Sequence, residues 1–177
     1  MSRVRNGMRV LEVATGSGEM FRRLVQANPN GQTVGFDLSP KMAARTQQSV
    51  RRQFPKAATF CKAVDARYMP FRDDAFDLVM CCYLLELLSA DDIVLTLLEI
   101  RRILRRGGGL TLILVGQNTD TFNRLYEVFG KVAPALWGRQ VSERIPDILQ
   151  RLNFRITGDR TVHQNGYPSR LLTACNK

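Results

Sequence analysis

A chain of 177 residues, 45% hydrophobic and 24% charged, has the length and composition of one globular domain with a full core. No apolar run reaches the roughly 18 to 20 residues that cross a bilayer, and the N-terminus has no apolar segment typical of a signal peptide. Four cysteines without paired spacing and one histidine argue against a zinc site and indicate reduced thiols in a cytoplasmic protein. The net charge of +10 favours anionic partners, without choosing among nucleic acid, anionic lipid and acidic metabolites.

Apolar periodicity predicts that strands and helices alternate along the first two thirds of the chain. Phe21, Leu24 and Val25 are spaced as on one helix face, and Ser39 followed by Pro40 is typical of a helix start. The predicted elements are, in chain order, a strand over 8–14, a helix over 17–27, a strand over 33–38, a helix after residue 39, strands over 58–64 and 76–83, a helix from 89 to about 105, and a strand over 110–115.

The glycines at 107–109 are expected to end the third helix. A helical segment with a break near 134–138 is predicted over 120–151. Two consecutive strands follow, at about 154–162 and 167–175. The alternation implies a parallel sheet with right-handed crossovers, and the last two strands predict an antiparallel hairpin.

The most informative segment joins the first strand to the first helix through a turn of small residues. Gly16 and Gly18 allow a ligand to approach the backbone closely, and the helix N-terminus offers free N–H groups beside them. Asp37 ends the second strand about 20 residues later, where a carboxylate can accept hydrogen bonds from ribose hydroxyls. Taken alone, the glycines also fit an ordinary tight turn and Asp37 a loop carboxylate. Together, in register, they indicate a nucleotide or nucleoside site.

The glycine pattern distinguishes between two classes of nucleotide ligand. A dinucleotide site requires a third glycine, where this sequence has Phe21. Instead, the spacing Glu12-x-Ala14-x-Gly16-x-Gly18 resembles the signature of class I S-adenosylmethionine-dependent methyltransferases, with Ala14 in place of the first glycine. Further stretches that resemble this family are 34–42, 62–66, 69–79 and 99–110.

The resemblance covers about residues 8 to 115 and is greatest to the ubiquinone/menaquinone C-methyltransferase and phosphatidylethanolamine N-methyltransferase branch. It implies that S-adenosyl-L-methionine is the cofactor, with Glu12 orienting its methionine end, Asp37 on the ribose and Asp65 on the adenine amino group. The residues that it assigns to the cofactor are Glu12, Ala14, Thr15, Gly16, Gly18, Asp37, Leu38, Met42, Asp65, Ala66 and Cys81.

The same resemblance predicts the fold class and the organisation of the chain. We expect an α/β Rossmann-like sandwich whose seven-stranded mixed sheet has the order 3-2-1-4-5-7-6, with strand seven antiparallel and helices on both faces. The whole chain, 1–177, is then a single methyltransferase domain. Residues 8–115 form its cofactor-binding core, and residues 116–177 form the acceptor-side helices and the C-terminal hairpin.

Methyl transfer from a sulfonium requires neither a metal nor a covalent nucleophile, and a base only where the acceptor must lose a proton. Candidates for a catalytic role are Tyr83, at the end of the predicted fourth strand, and Glu86, just after it. We interpret Cys81 and Cys82 as buried, inert thiols, and His163 as a surface histidine.

The predicted function is methylation of a lipid or lipophilic small molecule, such as a quinone precursor or a phospholipid amine. Few residues precede the first strand, so we expect at most a minimal N-terminal lid and an open pocket. An aromatic stripe from Phe122 to Trp137, with basic residues around it, indicates either a helix packed on the sheet or a surface touching anionic membrane. The alternatives are an RNA methyltransferase, favoured by the charge, and a non-catalytic protein that binds S-adenosylmethionine.

Overall fold

The computed structural model describes residues 4–115, 143–164 and 167–177. The stripe from Phe122 to Trp137, and all of the predicted helical segment before residue 143, lie outside the described residues. In the described residues no helix combines the length and the apolarity needed to span a membrane.

Strands and helices alternate up to the third strand, but the predicted alternation up to the fifth strand breaks there, because the fourth strand follows the third with only a loop over 64–75 between them. Helix α2 begins at the expected residue because the Ser39 hydroxyl accepts a hydrogen bond from the Met42 N–H at 3.4 Å. The described elements are β1 Arg9–Val13, α1 Glu19–Ala27, β2 Gln32–Asp37, α2 Pro40–Gln53, β3 Ala58–Ala63, β4 Phe76–Cys82, a 3-10 helix Leu85–Leu87, α3 Ala90–Ile103, β5 Leu104–Val115, α4 Ile145–Arg151, β6 Phe154–Gln164 and β7 Tyr167–Asn176.

The strands form one mixed sheet in the order β3-β2-β1-β4-β5-β7-β6. Every pair from β3 to β5 is parallel, whereas β7 runs antiparallel to both of its neighbours, β5 and β6. The predicted fold class, strand order and antiparallel strand are therefore confirmed.

Helices cover both faces of this sheet. On one face, Ile100 of α3 and Leu149 of α4 pack in the main core with Val79, Leu112 and Leu172 of β4, β5 and β7. All five side chains are fully buried. This layer of helices anchors the strands whose carboxyl ends carry the functional groups.

On the other face, α1 and α2 lie side by side over β1 to β3. Phe21 and Val25 of α1 share a cluster with Ala43 and Val50 of α2. Leu24, on another side of α1, packs against β1 and β4 instead. On this face, α1 therefore lies between α2 and the part of the sheet around β4 and β5.

The boundary between α3 and β5 differs from the prediction. The helix ends at Ile103, and the glycines at 107–109 lie inside β5 rather than at a helix end. Phe76 pairs with Leu104 and Leu78 pairs with Gly109, so β5 has an irregularity of several residues. Gly107, with φ of +74°, supplies the left-handed conformation that such a bulge requires.

Candidate functional site

The loop between β1 and α1 contains three residues with positive φ: Ala14 at +60°, Gly16 at +49° and Gly18 at +81°. Ala14 therefore keeps the left-handed conformation that a glycine would adopt freely, at a cost of about 1 to 2 kcal/mol for a residue with a Cβ. At Gly18 a Cβ would also lie 2.7 Å from the Thr46 hydroxyl. Conformation and space both require glycine at this position, which brings α1 close to α2.

Asp37 joins this loop to the start of α2. One carboxylate oxygen accepts a hydrogen bond from the Gly16 N–H at 2.8 Å, and the other accepts from the Ser39 N–H at 2.9 Å. The Thr15 N–H donates to the Phe36 carbonyl at 2.9 Å and extends the pairing of β1 with β2. A carboxylate has about four lone-pair positions, so Asp37 can still accept further hydrogen bonds.

Glu12 is the second carboxylate at the end of β1, and its surroundings differ. Its side chain is 1% exposed, and its Oε2 atom has no hydrogen-bond partner among the described residues. Burial, followed by repulsion from Asp37, raises the pKa of Glu12 well above its usual value. A cationic group placed against this oxygen would restore the charged form.

Leu38 and Met42, at the start of α2 next to Asp37, are 72% and 40% exposed. Large apolar side chains with this exposure beside a polar loop are suited to covering one face of a flat ligand. Ala66, further along the chain, is half-buried against the main core. The structure thus places these predicted residues near the same edge of the sheet.

Asp65 has a close partner that the sequence analysis missed. The Arg67 guanidinium donates to an Asp65 oxygen at 2.7 Å and to Asp92 at 3.1 Å, and the Arg67 N–H donates to Asp65 at 2.9 Å. These bonds to Arg67 lower the pKa of Asp65. Any ligand donor at Asp65 must share its oxygens with Arg67. The spacing of two residues is the only sequence signal for this pair.

A cleft of about 600 Å³ opens beside the β1–α1 loop, between α1 and the strands from β4 to β6. Cys82 faces this cleft, whereas the side chain of Cys81 is 1% exposed and lies in the core on the opposite face. Burial raises the pKa of the Cys82 thiol to about 12, so it stays protonated. The lining residues are Glu12, Ala14, Thr15, Gly16, Ser17, Glu19, Met20, Arg23, Leu24, Met80, Cys82, Tyr83, Thr111, Ile113, Arg160, Val162, Ser169 and Leu171.

Tyr83 lies on the rim of the cleft, directly after β4, in a left-handed conformation with φ of +53°. Its N–H donates to the Ile113 carbonyl at 2.8 Å, and its hydroxyl is 2.7 Å from the hydroxyl of Ser169 in β7. A bulky residue in this conformation is strained, and such strain is concentrated at functional sites. The sequence analysis missed Ser169, because only the antiparallel register of β7 brings it to the cleft.

Glu86, the other candidate for a catalytic role, does not line the cleft. It is 3% exposed, and its Oε1 atom accepts a hydrogen bond from the Val115 N–H at 2.6 Å. Burial raises the pKa of Glu86 above its usual value. The carboxyl group thus binds the end of β5 to the segment after β4. In the described part of the chain, no cluster of three or more His, Cys, Asp or Glu side chains could hold a metal ion.

Residues 10–108 match the family model described as a methyltransferase domain. The chain is 27% identical over 161 residues to a demethylmenaquinone methyltransferase of Staphylococcus aureus, covering 88% of this chain and 64% of that protein. The chain therefore spans about two thirds of the length of the curated relatives it matches.

Solved structures of methyltransferases share the fold. A structure of SAM-dependent methyltransferases from Methanosarcina mazei has a TM-score of 0.83 at 16% identity, over 97% of this chain and 93% of that one. Magnesium protoporphyrin IX methyltransferase of Synechocystis PCC 6803, with bound SAH, has a TM-score of 0.78 at 21% identity, over 97% and 75%. These matches confirm the resemblance that the sequence motifs indicate.

Proposed function

Because this chain belongs to the class I S-adenosylmethionine-dependent methyltransferases, we propose that it transfers the methyl group of S-adenosyl-L-methionine to a lipophilic small molecule. A quinone precursor or a phospholipid amine is the acceptor type that we expect. The cleft beside the β1–α1 loop carries the proposal, and its volume of about 600 Å³ lies in the range of small-molecule sites. The demethylmenaquinone methyltransferase among the relatives supports this acceptor class.

The carboxyl ends of β1 and β2 fit the cofactor. The free lone pairs of Asp37 can accept the ribose hydroxyls, and the exposed side chains of Leu38 and Met42 can cover the adenine. The orphaned Oε2 atom of Glu12 suits the cationic methionine end, because a positive charge there stabilises the ionised carboxylate. When bound, the cofactor supplies a methyl group already activated on a sulfonium. The chain then needs only to exclude water and align the acceptor.

The adenine end of this site involves Asp65 and Ala66. Asp65 can accept the adenine amino group only with the lone pairs that Arg67 leaves free. We therefore assign Arg67 the role of holding the Asp65 carboxylate in a fixed orientation.

The floor of the cleft supports an acceptor with an apolar body and polar groups. Cys82, Ile113 and Leu171 are neighbours across β4, β5 and β7 and form an apolar row. The hydroxyl pair of Tyr83 and Ser169 also lines the cleft. We propose that this pair hydrogen-bonds a hydroxyl, carbonyl or amine of the acceptor, while the row binds its apolar part.

The proposal is tested with purified protein and S-adenosyl-L-methionine radiolabelled in the methyl group. Demethylmenaquinone, phosphatidylethanolamine and total RNA are offered separately, with Asp37→Ala as the control for background transfer. We expect label in a lipid product. Label only in RNA would replace the lipid acceptor with an RNA one, and label only in a water-soluble product would exclude a lipid. Tight cofactor binding with no transfer to any acceptor would favour a non-catalytic binding protein.

A lipophilic acceptor is held in a membrane and the chain has a net charge of +10, so we propose that the function includes peripheral contact with an anionic bilayer. The Phe122–Trp137 stripe that first suggested such contact lies outside the described residues. Any structural support for membrane contact must therefore come from another surface.

A further inference from the structure

Helix α2 and the turn that follows it form a surface that carries cations and no carboxylate. The sequence from 38 to 64 contains no Asp or Glu. Its cationic side chains are all exposed, and none of them takes part in an ion pair within the described residues. We call this surface the basic face; its cations are Lys41, Arg45, Arg51, Arg52 and Lys56.

The helical period arranges the cations of α2 along its outermost line. Ala43 and Val50 are buried against α1 and the sheet. At about 100° per residue, Lys41, Arg45 and Arg52 lie on the opposite side of the helix. The row from Lys41 to Arg52 is about 16 Å long, at a rise of about 1.5 Å per residue. It forms a ridge of positive charge that faces away from the core, and Arg45 and Arg52 also line an open groove beside the edge of β3.

The ridge lies on the same side of the sheet as the acceptor cleft. Helix α1 separates the two, because one side of α1 packs against α2 and another carries Met20 and Leu24 of the cleft wall. Neighbouring helices lie about 8 to 10 Å apart, so the ridge and the cleft are about 20 Å apart. One flat partner could touch the ridge and reach the cleft at the same time.

The edge of β3 next to the ridge is partly blocked against pairing with a strand of another protein. The Gln47 side chain accepts a hydrogen bond from the Cys61 N–H at 2.5 Å and so occupies a donor of this edge. The basic face thus offers cations without carboxylates, and its charge complements an anionic interface.

We propose that the basic face docks the protein onto an anionic phospholipid surface, with the acceptor cleft on the docked side. The ridge lies on the cleft side of the molecule, and a lipophilic acceptor would reach that cleft from a bilayer, so its position favours a bilayer over RNA. The orientation of the cleft rests on the proposed function, in which the acceptor is lipophilic; binding to the bilayer does not depend on any acceptor.

The test measures sedimentation with vesicles of phosphatidylcholine alone and with 30% phosphatidylglycerol, at low and high salt, without cofactor or acceptor. The test variant is Arg45→Gln/Arg51→Gln/Arg52→Gln. The control is Arg72→Gln/Arg106→Gln/Arg155→Gln, which removes the same charge from exposed arginines elsewhere. Each basic side chain near an anionic surface strengthens binding about fivefold, so the test variant should lose about 100-fold in partitioning. The control should lose no more than about threefold.

Binding of the wild type only to anionic vesicles, weakened by salt, together with selective loss in the test variant, supports the proposal. Equal loss in the two variants would overturn it, because net charge alone would then explain the binding. Equal or negligible wild-type binding to both vesicle types would also overturn it. So would a test variant that keeps vesicle binding and loses binding to a single-stranded RNA 20-mer. Unchanged cofactor affinity and circular dichroism show that each variant is folded. Absence of methyl transfer to lipid would contradict only the proposed function.

Discussion

The two halves of the proposed site, a cofactor end and an acceptor end, are built from contacts of very different sequence separation. At the cofactor end, Asp37 binds Ser39 two residues away and Gly16 21 residues away. At the acceptor end, the hydroxyl pair joins Tyr83 to Ser169 across 86 residues. The cofactor end is therefore encoded in one strand-loop-helix unit and its neighbour, while the acceptor end exists only when distant strands meet. Variation in the late part of the chain can change the acceptor without altering the cofactor site.

The largest effect is expected at the cofactor end. Asp37→Ala removes a charged acceptor for the ribose and also the bonds to the Gly16 and Ser39 N–H groups. Each strong hydrogen bond to a charged group is worth about 1.5 to 3 kcal/mol, so affinity for S-adenosyl-L-methionine should fall about ten- to a hundred-fold by calorimetry. Unchanged affinity in a folded variant would remove Asp37 from the site.

Asp65→Ala is the matched comparison and should weaken cofactor binding less than Asp37→Ala. Arg67 already occupies part of the Asp65 carboxylate, and water can replace a single adenine contact. If calorimetry finds a greater loss for Asp65→Ala, the adenine end dominates binding.

At the acceptor end, Tyr83→Phe and Ser169→Ala should each lower kcat/KM for the acceptor about tenfold, the loss of about 1.4 kcal/mol of hydrogen bonding. Cofactor affinity should stay unchanged, since neither hydroxyl bonds to the β1–α1 loop. Tyr68→Phe is the control, because Tyr68 is 70% exposed and does not line the cleft. A loss of cofactor affinity in Ser169→Ala would show that the two ends are coupled.

Glu12 gives the cofactor end a dependence on pH. Because its pKa is raised in the folded state, the folded chain keeps a proton that the unfolded chain releases near pH 4 to 5. This carboxyl therefore lowers stability as pH rises above that range. Glu12→Gln cannot ionise, so its free energy of unfolding relative to the wild type should be higher at pH 8 than at pH 5. Urea unfolding at the two pH values measures the difference between the variant and the wild type. An equal difference at both pH values would show that the pKa of Glu12 is not raised in the folded state.

The smallest effect is expected at Ala14. Glycine removes the left-handed strain of about 1 to 2 kcal/mol from the folded state. It also raises the conformational entropy of the unfolded chain, which offsets about 0.4 to 1 kcal/mol of that gain in stability. Ala14→Gly should therefore stabilise the protein by about 0.5 to 1 kcal/mol, measured as a rise in Tm. Ala44→Gly, in the exposed part of α2, is the control and should lower stability by about 1 kcal/mol. A lower Tm for Ala14→Gly would mean that the methyl group packs usefully in the loop.

The sequence predicted most of the sheet, because alternating apolar runs and local signals such as Ser39 with Pro40 act within a few residues. It placed Gly16, Gly18 and Asp37 correctly around one loop for the same reason. The predicted third helix is two residues too long, because a run of glycines is compatible with a bulge inside a strand as well as with the end of a helix. Only the tertiary pairing of Phe76 with Leu104 distinguishes the two.

The acceptor end was harder to predict. Adjacent cysteines in a strand must face opposite sides, but the sequence does not say which of Cys81 and Cys82 faces the cleft. Glu86 looked like a pocket base because it follows β4, yet its carboxyl binds the Val115 N–H instead. Ser169 carries no local signal, since its position depends on the register between β5 and β7.

The placement of β7 between β5 and β6 also has a consequence for how the chain folds during synthesis. Leu110 pairs with Ala174, so one edge of β5 stays unpaired until about 60 further residues have been synthesised. As the ribosome releases the chain, β1 to β5 can assemble first, with the edge of β5 exposed. The final strand then inserts and completes the sheet. Until then the open edge of β5 can pair with other chains, and slow translation after β5 would prolong that exposure.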